Sequence, residues 1–282
     1  MAVIINMVWG SMFVAAAIGL REFPPILFTG IRFLILFILL ISFFRVSSEL
    51  TKPLLIIGLL MGFGMYLTLY LSIALADNTS SVAIFSKLEV PFAIILSVIV
   101  LKEKIGIRRI LGVVIAMFGA MIISFDPAAF SDLPALFWMT ISCFFSAFAM
   151  IKVRVLGSVH PLTITAWVSL VGASSLLLIS LMFESNHWQA IENASLIGWS
   201  ALLYTAIMSS IIAQSGIYYL LQRYEVSQVA PFFLLSPIFA VVGGVLILDD
   251  QLTVQLMVGG LMILAGVGWI YLRDKRVTTE IK

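Results

Sequence analysis

Charge is scarce in this sequence. Of 282 residues, only 11% are Asp, Glu, Lys or Arg, while 62% are hydrophobic. Soluble domains sit near about 25% charged and about 45–50% apolar, so the imbalance excludes a soluble two-domain enzyme, a disordered chain and a coiled coil. Cysteine is almost absent. Cys143 is the single one, which excludes an internal disulfide or a four-cysteine metal site, and in its apolar stretch it reads as a small buried hydrophobe. The two histidines, His160 and His187, fall in separate loops and read as solvated side chains, so neither a metal nor any other cofactor is expected. No Walker A sequence occurs, which argues against ATP drive within the chain. A net charge of +2 is too balanced for a nucleic-acid binder, whose affinity comes from neutralising phosphates.

What the chain does have is long apolar runs. A bilayer-spanning helix takes about 20 residues, so ten spans would use about 200 and leave no room for a soluble domain. Runs bounded by charged or turn residues lie near Val3–Leu20, Ile26–Phe44, Leu54–Leu75, Val82–Leu101, Ile107–Phe125, Leu136–Leu156, Leu162–Phe183, Ile197–Leu221, Gln228–Leu248 and Thr253–Leu272. All are expected to be helices, because hydrocarbon offers no partner to an unpaired backbone group. Ala15-Ala16-Ala17 resembles a signal-peptidase site, but no basic segment precedes the run, so the first span is expected to be retained. With an internal N-terminus, 13 of the 16 Lys and Arg residues fall in inner loops or the tail. The outer loops hold Arg21 and a set of acids, Glu22, Asp77, Asp126, Asp132, Glu184, Glu192, Asp249 and Asp250. Basic residues collect on the cytoplasmic side, so a multi-pass protein of the cytoplasmic membrane with both termini inside is expected.

The fourth and ninth spans resemble each other. Ser81-Val82-Ala83 through Pro91 can be laid on Ser227-Gln228-Val229 through Pro237, 146 residues on, and a shift of 147 aligns Glu103, Gly112 and Gly119 with Asp250, Gly259 and Gly266. Trp9–Pro25 has the spacing of Phe145–Pro161. Five spans per copy is an odd number, so the copies must have opposite orientation in the membrane. The expected fold is therefore all-α, ten transmembrane helices in two inverted five-helix repeats, residues 1–130 and 131–282. Inverted repeats are common in secondary transporters, whose sites lie near the midplane.

These features resemble the drug/metabolite transporter superfamily, specifically its EamA-type permeases. The resemblance is carried by Trp9-Gly10, by Pro25 seven residues before Arg32, and by Pro91 and Pro237, each followed by an acidic residue and a glycine. Lys87-Leu88-Glu89-Val90-Pro91 is also similar to a stretch in sugar-phosphate and nucleotide-sugar translocators. Asp250 stands where the family usually has Glu. The resemblance implies a secondary transporter, often an exporter of amino acids or other metabolites.

Three ionisable residues fall within spans: Arg32, Lys87 and Glu89. Such residues cost about 2.5–3.5 kcal/mol on insertion scales and are functional hypotheses by default. Lys87 lies about 10 Å below the outer end of its span. Lys87 and Glu89 are two residues apart, which places them about 160° apart on an α-helix. A direct pair is therefore not expected; an Arg32–Glu89 pair, leaving Lys87 to face substrate, is. Pro91 removes the hydrogen bond to the Lys87 carbonyl and Pro237 the one to Phe233, so both read as helix-break hinges. Asn6, Trp9, Tyr66, Tyr70, Gln214, Tyr218 and Ser236 are the polar and aromatic candidates to complete a substrate pocket. Tyr66/Tyr70 and Gln214/Tyr218 each share a helix face, in spans that the repeat makes equivalent.

Other features carry less. Gly58-x-x-x-Gly62 is compatible with a helix contact, Asn193-Ala194-Ser195 fits a glycosylation acceptor, and Trp138, Trp188 and Trp269 read as interfacial anchors. The expected function is secondary active transport of a small organic metabolite, such as an amino acid or related zwitterion, by alternating access. Export or exchange fits best, with Glu89 a carrier for a coupling proton or ion. A channel or receptor-like protein for a small solute is the alternative. An enzyme is not expected, since no span supplies a histidine or a metal-binding helix. The partners are a small-molecule substrate and the lipid bilayer, with no nucleic acid; a homodimer is compatible with the sequence.

Overall fold

The structure is a computed structural model that describes residues 2–102, 106–124, 133–223 and 236–279. Every regular element among them is helical. In chain order they are α1 (Ala2–Gly19), α2 (Pro25–Leu40), α3 (Ser48–Ile57), α4 (Tyr66–Leu75), α5 (Thr79–Phe85), α6 (Glu89–Leu101), α7 (Ile107–Ser124), α8 (Leu133–Leu156) and α9 (Pro161–Phe183). These are followed by α10 (His187–Asn193), α11 (Leu196–Tyr204), α12 (Ser215–Arg223), α13 (Ser236–Ile247) and α14 (Val254–Thr279). Among the described residues, six continuous helical stretches are long and apolar enough to cross a membrane: Pro25–Phe43, Ser48–Leu75, Thr79–Val100, Leu133–Leu156, Pro161–Phe183 and Leu196–Arg223. Ile4–Gly19, Ile110–Gly119, Ser236–Ile247 and Val254–Gly266 are shorter apolar helices. Side chains such as Leu178, Leu181, Leu246 and Leu261 point outward and exposed, as expected of a protein whose solvent is hydrocarbon.

Local chemistry explains the helix ends. Pro25 and Pro161 start α2 and α9 at the first helical position, where a missing N–H costs nothing. Asn78 caps α5 by accepting from Ser81 N at 3.1 Å, and Ser195 caps α11 by accepting from Ile197 N and Gly198 N. The serine of the Asn193-Ala194-Ser195 motif is thus accounted for as a helix cap. Lys102 and Asp249, 147 positions apart, both leave their helices in the left-handed region, at φ 55° and 61°.

Three stretches depart from α geometry inside apolar spans. Between α3 and α4, Gly58–Met65 is π-helical, and between α11 and α12 so is Thr205–Gln214. The two wide segments start 147 residues apart. The third departure is the 3₁₀ turn Ser86–Leu88 between α5 and α6. It lies just before Pro91, where loss of that N–H was expected to open the ladder. The matching break at Phe233, ahead of Pro237, lies outside the described residues.

Packing pairs α1 with α13 and α11, α2 with α9, α8 with α4 and α6, α5 with α13, and α7 with α14. The Gly58–Met65 segment packs on α8 and α9, and Thr205–Gln214 on α1 and α2. Gly58-x-x-x-Gly62 is a genuine helix contact: a Cβ on Gly58 would come within 2.7 Å of the Val171 side chain. One on Gly62 would collide with Val168 O and come within 2.9 Å of Gly172 N.

Two rigid backbones meet at Gly62, so Gly62→Ala should destabilise the protein by about 1–3 kcal/mol, read as a lower melting temperature in detergent. Gly268→Ala, whose Cβ would meet nothing within 4 Å, should leave the melting temperature unchanged or raise it.

Candidate functional site

The broken and widened helices line one cavity between the spans. Trp9, Met12 and Phe13 of α1 form one wall, and the first π-helical segment contributes Met61 and Met65, with Tyr66 beside them. The broken turn supplies Ser86, Lys87 and Glu89; α8 supplies Met139, Ser142, Cys143, Ser146 and Met150. Ser209 and Gln214 of the second π-helical segment, Tyr218 and Leu221 of α12, and Ser236 complete it. Seven of the ten substrate candidates from the sequence, Trp9, Tyr66, Lys87, Glu89, Gln214, Tyr218 and Ser236, therefore line one space. Asn6, Arg32 and Tyr70 do not. Asn6 is buried on α1 one turn before Trp9.

The charge pairing differs from expectation. Lys87, only 3% exposed, places Nζ 3.8 Å from Glu89 Oε1, so these two residues pair with each other. The reason is the turn between them. In a 3₁₀ turn successive residues advance by about 120°, so positions two apart are separated by about 120° rather than about 160°. Two long side chains close that gap. Glu89 is held further by Ser146, whose Oγ donates to Oε2 at 2.9 Å.

Arg32 does not pair with Glu89. It is fully buried, and its Nε donates to Thr205 O at 3.0 Å while Nη2 donates to Ser210 Oγ. Its guanidinium lies 4.5 Å from the Tyr66 ring centroid, 5.1 Å from Phe33 and 5.6 Å from Tyr70. A π-helical turn shifts the backbone register and leaves carbonyls without their usual donor. Arg32 donates to the carbonyl at the first residue of the Thr205–Gln214 segment and lies against aromatic rings, a cation–π arrangement suited to its planar charge. It stands directly behind Tyr66, which lines the cavity, and is the support of that wall.

Cys143, Ser146 and the methionines were not among the candidates that sequence reasoning put in the pocket. Cys143 Sγ donates to Ser86 O at 3.3 Å, supplying a donor to the 3₁₀ turn, so it is more than a packing residue. Its position three residues before Ser146 puts both on one helix face, which was the available signal. Met12, Met61, Met65, Met139 and Met150 give the wall a soft, adaptable apolar surface. Tyr218 Oη and Ser209 Oγ, on residues each 1% exposed, make no hydrogen bond among the described residues. The two histidines are also partnered: His187 Nε2 is 2.9 Å from Ser180 Oγ, and His160 stacks on Phe43 at 5.2 Å. No group of three or more potential metal ligands occurs among the described residues.

A family model described as the EamA-like transporter family matches residues 1–125 and 133–272. The chain belongs to the EamA-like transporter family. This EamA transporter is 26% identical over 283 residues to an uncharacterized transporter, YoaV, of Bacillus subtilis, covering 93% of this chain and 92% of the relative. It is also 26% identical to a probable amino-acid metabolite efflux pump of Salmonella typhimurium, covering 94% and 92%. A solved crystal structure matches with TM-score 0.73 at 16% identity, covering 98% of this chain and 96% of the other; that likeness concerns the fold. Family and relatives point to a transporter rather than an enzyme, and with the apolar helices to a multi-pass membrane protein.

Lysine keeps the charge of Arg32 but has neither its planar fork nor its stacking surface. Arg32→Lys should therefore cost about 2–4 kcal/mol, read as a lower melting temperature in detergent; an unchanged value would contradict the supporting role.

Proposed function

We propose that this EamA transporter is a secondary active carrier that moves a small zwitterionic metabolite, an amino acid or close relative, by alternating access. The observation that carries the proposal is the Lys87–Glu89 pair at the broken turn in the cavity wall. Its two charges sum to zero, so a substrate of net charge zero leaves the site neutral, whereas a phosphate dianion would bring uncompensated charge into a low-dielectric cavity. A zwitterion can give its carboxylate to Lys87 and its ammonium to Glu89, Tyr218 Oη and Ser209 Oγ can take further hydrogen bonds, and the methionine wall can receive an apolar side chain. Between substrates, the pair closes on itself. Glu89 is the group we assign to a coupling proton.

Several features support ten spans in two inverted halves, residues 1–130 and 131–282. The helix pairings exchange consistently when each span of one half is replaced by its counterpart. Contact of α1 with α13 has its counterpart in α8 with α6, and contact of the first π-helical segment with α9 has its counterpart in the second with α2. The π-helical starts and the left-handed exits at Lys102 and Asp249 both repeat at 147 residues. The basic inner loops support cytoplasmic termini, and the names of the efflux-pump relatives support export or exchange.

Thermal-shift screening against amino acids would identify a ligand, and counterflow of that labelled ligand in proteoliposomes would test the carrier. The expected flux saturates, and Lys87→Ala and Glu89→Gln each slow it by about ten-fold or more, the loss of about 1.4 kcal/mol of substrate interaction. Wild-type flux in Lys87→Ala would refute the site, and flux linear in concentration would indicate a channel.

A further inference from the structure

Among the acids that the sequence places in one set of loops, Glu22, Glu184 and Asp250 are more than solvated charges. Each of the three binds the start of a helix that belongs to the opposite half of the chain. Glu22, after α1, accepts from Ser195 N at 2.6 Å and Ser195 Oγ at 2.7 Å, at the head of α11. Glu184, after α9, accepts from Ile26 N and Leu27 N, both at 2.8 Å, at the head of α2. Its Oε2 also accepts from Ser180 Oγ at 2.7 Å, and Ser180 is partnered by His187. Asp250, after α13, accepts from Ser80 N at 2.7 Å and Ser80 Oγ at 2.6 Å, at the head of the Thr79–Val100 span. Beside it Asn78 Nδ2 donates to Gln251 O at 2.8 Å. Each carboxylate meets free N–H groups and the positive end of a helix dipole. Each bond ties the first half of the chain to the second, and all lie at the same end of the bundle.

Room for two of these carboxylates is made by glycines. A Cβ on Gly198 would come within 2.5 Å of Glu22 Oε2. One on Gly244 would collide with both Asp250 Oδ2 and Ser80 Oγ. The cavity extends the other way, along α8 to Met150 and along α12 to Leu221, in the last turns before the basic loops.

We propose that Glu22, Glu184 and Asp250 form a three-carboxylate latch that holds the two halves together at the acidic end, and that its release opens the cavity to that side. The latch rests on the alternating-access reading above and specifies which contacts must break during it. Caps of this kind suit a gate, because each freed carboxylate and helix end at the bundle's rim can be taken up by water, so the open state leaves no buried group unpaired.

The single cysteine provides a readout that needs no substrate. Cys143 lines the cavity, and a membrane-impermeant sulfonated methanethiosulfonate can be applied to vesicles from either side. Wild type should be modified faster from the basic side. The triple variant Glu22→Gln, Glu184→Gln, Asp250→Asn should be modified about ten-fold faster than wild type from the acidic side, a shift in population toward the open state. Gly198→Ala and Gly244→Ala should act in the same direction with every carboxylate intact. An unchanged acidic-side rate in variants that remain monodisperse overturns the latch, as does failure of all of them to fold, since a gate must be separable from the fold. The sidedness of Cys143 modification does not depend on Lys87, so the latch and the proposed substrate site can fail independently.

Discussion

In hydrocarbon every backbone amide and carbonyl needs a partner within the protein, and this constraint organises the whole molecule. Uninterrupted helices meet it by themselves but leave no backbone group free for a ligand, so they contribute side chains alone. The chain interrupts its helices at Gly58–Met65, Ser86–Leu88 and Thr205–Gln214, and side chains from elsewhere donate to carbonyls of these segments. Cys143 reaches Ser86 O, and Arg32 reaches Thr205 O across 173 positions of sequence. Helix starts at the rim obey the same rule, with Glu22, Glu184 and Asp250 supplying the acceptors. Cavity and cross-half contacts thus arise from one requirement.

The three charges within the spans, Arg32 and Lys87 buried and Glu89 partly buried, have different surroundings. Arg32 is spent on structure, fixed by two hydrogen bonds and a cage of aromatic rings. Lys87 and Glu89 hold one another in the cavity wall, with Ser146 steadying the carboxylate. A buried pair contributes little net stability, since the cost of desolvating both charges offsets their attraction. Its place at a helix break facing a cavity is what the proposed exchange with a zwitterionic substrate would use.

Much of this was legible in the sequence. The apolar runs marked the helices, and the 147-residue spacing of the π-helical starts and of the left-handed exits is compatible with the 146–147-residue period read from the sequence. Proline chemistry located the break at Ser86–Leu88. The pairing of charges was not legible, because the angle between Lys87 and Glu89 depends on whether the turn joining them is α or 3₁₀, a tertiary outcome of Pro91 and its surroundings. Arg32 was rightly marked as unusual but assigned the wrong partner, since its acceptor is a backbone carbonyl that every sequence position possesses. The acids of the loops read as orientation signals only; their use as caps on distant helices depends on which loop lies beside which helix start.

The account's central claim is that the cavity beside Lys87, Glu89 and Cys143 is where the transported solute binds. Protection of Cys143 from a membrane-permeant maleimide measures this directly, since the chain has no other thiol. At ten times the half-saturating concentration of a transported amino acid, alkylation should slow by about ten-fold, with half-protection at the concentration that half-saturates transport. Alkylation that proceeds at the same rate with and without saturating solute would contradict the account.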